Sequence, residues 1–145
     1  MFQRILVAWD GSETALRGFD VAIDITRRYD AELVAVSIAY TPAHAETAAD
    51  RQQTIDGAHQ YLGETFDQVV DRAQRAGVEV THEIIEGESP VDALLGYAHE
   101  HGIDLIVCGH HPTRRVGRLL LHDVAEQLID GPTPVLVVSN GTLDA

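Results

Sequence analysis

Short, almost unbroken apolar runs recur along this chain, and each leads into a turn or an amphipathic stretch. The runs are residues 3–9 (QRILVAW), Glu32–Ala39, Ile103–Cys108 and Pro134–Val138, and Val78–Ile85 is a further strand-like stretch with partial alternation. Runs this short and this continuous suit strands covered on both faces. Between them lie apolar residues at helical spacing. Ala15, Leu16, Phe19, Ala22 and Ile23 form one such set, and Val91, Leu94, Leu95 and Ala98 another. From about Thr54, a stripe of Ile55, Ala58, Leu62, Phe66, Val69 and Ala73 predicts one long helix ending at Gly77. Alternation at this spacing predicts an α/β domain with about five strands, mostly parallel, over residues 1–145.

Local chemistry marks the helix ends. Ser12 follows the Asp10-Gly11 turn as an N-cap, and Arg27 and Arg28 place cations at the negative end of the same helix. Ser89 caps the helix that has Pro90 at its first position and Asp92 at its third, and Gly102 ends it. Thr41–Asp50 carries no clear period and reads as a loop.

Charge narrows the function classes. The net charge is −13, and all ten basic residues are arginines. A broad basic surface for nucleic acid is therefore excluded. No apolar run is long enough to span a membrane or to form a signal peptide, so a cytoplasmic protein is expected. Acidic excess without lysine suits a protein of a salt-loving cell, where a Debye length of about 3 Å at 1 M salt quenches self-repulsion. The single cysteine, Cys108, lies inside an apolar run and reads as an inert buried thiol.

The stretch from Ile103 to Ser139 has the layout of a phosphate-binding corner: strand, glycine turn at Gly109, loop, helix start, strand. Arg114, Arg115 and Arg118 lie in that loop, and arginine is suited to bidentate phosphate contact. His110, His111 and His122, with Asp123, have the ligand types for zinc or nickel. Neighbouring residues diverge in direction, however, and no histidine pair sits at i, i+4, so no metal site is expected. Glu86 and Glu88 read as a solvated turn, and His99 and His101 as exposed residues near a helix end.

Four segments in order, ILVAWDGSETA, AELVAVSIA, EGESPVDALLGYAHEHGIDLIVCG and RRVGRLLLHDVAEQLIDGPTPVLVV, resemble the universal stress protein (universal stress protein A) family over nearly the whole chain. The resemblance implies a Rossmann-like three-layer α/β/α fold with a five-stranded parallel sheet. It also implies a homodimer paired through the last strand, Val135–Val138, at a sheet edge. That strand is apolar and has no charged gatekeeper within it, so its edge needs a partner or a cover.

In the nucleotide-binding members the corner reads glycine, two residues, glycine, nine residues, glycine, then serine or threonine. Here those positions are Gly109, Pro112, His122 and Asp123, so three of the four have changed. Pro112 has no N–H to offer an anion. His122 adds bulk where close backbone approach is needed. Asp123 sets a carboxylate where a hydroxyl would donate. Like charges ~4 Å apart repel by about 4 kcal/mol at an effective dielectric of ~20, less in salt. Asp123 is still suited to cap a helix, with Glu126 at the third position.

The resemblance carries nucleotide contacts onto Ala8, Asp10, Ile38, Gly109, His122, Asp123 and Val124, with Asp10 near the adenosine and the Ile38 backbone near adenine; the loop arginines Arg114 and Arg115 join these candidates through their own chemistry. Asp10 is equally a turn residue. The leading expectation is a dimeric stress-response module with an unknown protein partner, no resident cofactor, no catalytic residue and weak or absent triphosphate binding. The alternatives are a binder of AMP, ADP or Mg-ATP and, third, a metal-dependent protein.

Overall fold

The computed structural model describes residues 1–40, 47–110 and 124–139. Five strands form one parallel sheet: β1 (Arg4–Ala8), β2 (Glu32–Tyr40), β3 (Val80–Gly87), β4 (Leu105–Gly109) and β5 (Val135–Val138). Their spatial order is β3-β2-β1-β4-β5. The order reverses direction beside β1, so the carboxyl ends of β1 and β4 flank the crevice where open α/β sheets take ligands.

Helices cover both faces. On one, α1 (Glu13–Tyr29), α2 (Ala48–Asp67) and α3 (Val70–Arg75) close over Ile5, Val7, Phe19, Phe66 and Val107. On the other, α4 (Pro90–His101) and α5 (Val124–Ile129) close over Leu6, Val36, Leu94, Ile106 and Leu128. Burying each such side chain contributes roughly 1.5–3 kcal/mol. This is the three-layer α/β/α arrangement expected, with β5 at one edge.

The caps form as their chemistry predicts. Ser12 Oγ accepts from Ala15 N at 3.1 Å, and the Ser89 hydroxyl accepts from Asp92 N at 3.3 Å. The predicted loop ends earlier than Asp50, because Thr47 caps α2 through Asp50 N at 3.0 Å. The single helix expected up to Gly77 is two. At the β-branched pair Val69–Val70 the chain tightens into an i→i−3 turn, Val69 N to Phe66 O at 2.9 Å. The apolar stripe runs across the break because Phe66 and Ala73 reach the same core.

Two strands start later than the apolar runs suggest. Gly77 and Gly102 adopt φ +77° and +65°, and the next residues, Val78 and Ile103, donate back to Ala73 O and Ala98 O at 2.9 Å. These are Schellman closures. The buried Val78 and Ile103 seal helix ends and do not begin strands.

Candidate functional site

The corner begins at the turn after β1. Asp10 Oδ1 accepts from Ser12 N at 2.9 Å and from Ser12 Oγ at 2.5 Å. Ser12 Oγ in turn caps α1, so the exposed carboxylate stands at a helix N-terminus, where the dipole favours it. Gly11 between them has φ +83°, and a Cβ there would lie 2.8 Å from the Tyr61 hydroxyl. A turn role for Asp10 is thus built into the structure.

Gly109 ends β4 on the other side of the crevice. A Cβ on it would lie 2.5 Å from the Thr14 carbonyl oxygen and 2.8 Å from Thr14 Cβ. Gly18, one turn further along α1, would place its own Cβ 3.5 Å from Gly109 N. The end of β4 therefore presses against the first turn of α1, and only glycine fits at 109. Sequence reasoning missed Thr14 and Gly18. The available signal was their i, i+4 spacing on the face that also carries Ala22.

Ala8, Ile38 and Val124 lie on the opposite face. Each is half-buried and packs against the core under α4 and α5. Ala8 pairs with Val36, and Ile38 with Ile85. The structure thus brings Asp10 and Gly109 to the two strand ends, and packs Ala8, Ile38 and Val124 against one core cluster on the α4 and α5 side. Arg114, Arg115, His122 and Asp123, together with His111, Pro112 and Arg118, lie outside the described residues. So does the expected Thr41–Asp50 loop from 41 to 46.

A polar cluster that the sequence did not flag lies just behind the turn. Ser37 Oγ is 2.6 Å from Trp9 O and 2.8 Å from His82 Nε2. His82 stacks on Phe66, with centroids 4.3 Å apart. Burial, the larger effect, pushes its imidazole below the usual pKa, against the opposing pull of Asp67 and Glu83. The Trp9 indole donates to Thr65 Oγ1 at 3.1 Å. Ser37 was a signal of sorts, a lone hydroxyl in an apolar strand.

Other candidates have ordinary surroundings. Cys108 is buried, and burial pushes its thiol up to about 11, as suits an inert group. Glu86 pairs with His59 at 3.4 Å on the surface. His99 and His101 are exposed, the latter stacked on Tyr97. Among the described residues no three metal-ligating side chains converge, and no helix is long and apolar enough to cross a membrane. A cavity of about 680 Å³ opens at the far end of the sheet beside Arg4, Thr26 and His101, away from the corner. A smaller one, about 160 Å³, lies between Trp9, Ser12 and Thr65 on the α2 side of the turn.

Comparison with known proteins agrees with this geometry. The family model of the universal stress protein family matches residues 1–139. A putative universal stress protein of Staphylococcus haemolyticus is 31% identical over 139 residues, covering 94% of this chain and 84% of its own. The solved universal stress protein of Lactobacillus plantarum superposes with a TM-score of 0.82 at 26% identity, covering 94% of this chain and 97% of its own. A universal stress protein solved in complex with cAMP gives a TM-score of 0.72 at 28% identity, with the same coverages.

Proposed function

The chain belongs to the universal stress protein family, and from that premise we propose that it is a stress-response module whose corner does not hold a nucleoside triphosphate tightly. The observation that carries this is the fit of Gly109 against Thr14. Gly109 is the one signature glycine the chain keeps, and packing alone accounts for it. The remaining signature positions, Pro112, His122 and Asp123, supply an imide without N–H, a bulky ring and a carboxylate. A polyphosphate needs bare amide donors, and none of these residue types favours it. Isothermal calorimetry with Mg-ATP at the protein's working salt tests the proposal. Binding weaker than millimolar is expected, and micromolar affinity would overturn it.

A second possibility is a nucleoside monophosphate, held through Asp10, Ile38 and the loop arginines Arg114 and Arg115. The cAMP complex of a relative at 28% identity favours it, because one phosphate needs fewer amides than three. The nucleotide released by acid precipitation of freshly purified protein separates the two cases.

In this proposal the protein works as a cytoplasmic homodimer joined through β5, with an unidentified protein partner. It has no catalytic residue, resident metal or cofactor. The lysine-free, −13 composition suits work at high salt. A melting temperature that rises with added KCl supports that habitat, and one that stays flat or falls removes it.

A further inference from the structure

Trp9, Ser37 and His82 come from just after β1, from β2 and from the edge strand β3, and they form one hydrogen-bonded chain. Ser37 Oγ lies 2.6 Å from the Trp9 carbonyl oxygen. A carbonyl only accepts, so the single serine proton goes to Trp9. The Ser37 oxygen is then left to accept, and its 2.8 Å contact with His82 Nε2 fixes the imidazole as the tautomer protonated on Nε2. Ser37 is 1% exposed, so water does not compete for either bond. Phe66 holds the ring at an interplanar angle of 24°.

Trp9 is gripped elsewhere too. Its backbone N–H donates to Val36 O at 2.9 Å and its indole N–H to Thr65 Oγ1 at 3.1 Å. The Trp9 carbonyl belongs to the peptide plane whose nitrogen is that of Asp10. Whatever orients this carbonyl orients the entry into the Asp10–Gly11–Ser12 turn.

We propose that Ser37 and His82 are positioning residues for the corner, fixing the Trp9–Asp10 peptide plane and relaying the protonation state of His82 to the turn. The charged groups acting on His82 are Asp67 at the end of α2 and Glu83 beside it on β3, both of which favour the cation. Ser37 on β2 and Trp9 after β1 bring no charge. Protonation places the new hydrogen on Nδ1 and leaves Nε2–H a stronger, charged donor to Ser37. Polarised in this way, the serine hydroxyl tightens on Trp9 O. The relay does not depend on any nucleotide occupying the corner.

The test is an NMR pH titration of the full ¹⁵N-labelled chain. The expected result is an Nε2–H tautomer for His82 above neutrality, with Gly11 and Ser12 amide shifts that follow the His82 midpoint. In Ser37→Ala the imidazole still titrates, and the turn amides no longer follow it. An Nδ1–H tautomer, or turn amides silent across the wild-type midpoint, overturns the relay. Coupling that survives unchanged in Ser37→Ala does the same. If that variant does not fold, the wild-type tautomer and shared midpoint decide alone.

Discussion

Gly109 and Thr14 touch so closely that a single added carbon on Gly109 would lie 2.5 Å from the Thr14 carbonyl oxygen. The obstacle is backbone, which cannot rotate aside as a flexible side chain would. Gly109→Ala is therefore expected to destabilise the fold by about 1–3 kcal/mol, the usual range for overpacking. Gly18→Ala is the control. Its Cβ would meet Gly109 N at 3.5 Å, ordinary contact, and it gains roughly 0.8–1.0 kcal/mol of helix propensity. Urea unfolding of the two variants should move in opposite directions. Equal effects would show that the close approach is not what demands glycine at 109.

Restoring the lost signature should restore the lost ligand. The combined variant Pro112→Gly, His122→Gly and Asp123→Ser is expected to bind Mg-ATP at least tenfold more tightly than the parent, about 1.4 kcal/mol. Calorimetry at matched salt measures this. An unchanged affinity would mean that something other than these three residues keeps triphosphate out.

The imidazole of His82 should leave a mark on stability. Burial holds its folded-state pKa below the usual value of about 6.5. As pH falls from about 6.5, the unfolded chain takes up this proton before the folded one does. Stability is thus present above about 6.5 and is lost as pH drops through the depressed folded pKa. The slope from one proton stays under about 1.4 kcal/mol per pH unit. Urea midpoints of the parent and of His82→Gln across this window check it. A parent whose slope matches that of the variant there would remove His82 as the cause.

The edge of β5 offers a direct test of the proposed dimer. Ile106 N donates to Pro134 O and His110 N to Val138 O, so Pro134 and Val138 face β4. Alternation along the strand turns the N–H groups of Val135 and Val137 outward. Val137→Pro should remove an outward donor without breaking the β4 ladder. Light scattering is expected to show a dimer for the parent and a monomer for Val137→Pro, with unchanged circular dichroism. A monomeric parent at micromolar concentration would end the edge-pairing proposal.

The sequence by itself determined the layers and their punctuation. Apolar runs long enough for strands, hydroxyl caps at Ser12 and Ser89, and glycine stops at Gly77 and Gly102 all act over a few residues, so their chemistry is local and legible. The same local signal misplaced the starts of β3 and β4, because Val78 and Ile103 are apolar and buried whether they seal a helix or open a strand. Nor did it show the break at Val69, since the apolar stripe is the same on both sides. Only the tertiary structure decided that β1 would lie between β2 and β4, and so where the crevice falls. It also gave Gly109 its reason in Thr14, and it joined Ser37 to Trp9 and to His82, 28 and 45 residues away. Such contacts are set by how strands are ordered and how closely a helix settles on them, and no run of neighbouring residues encodes that.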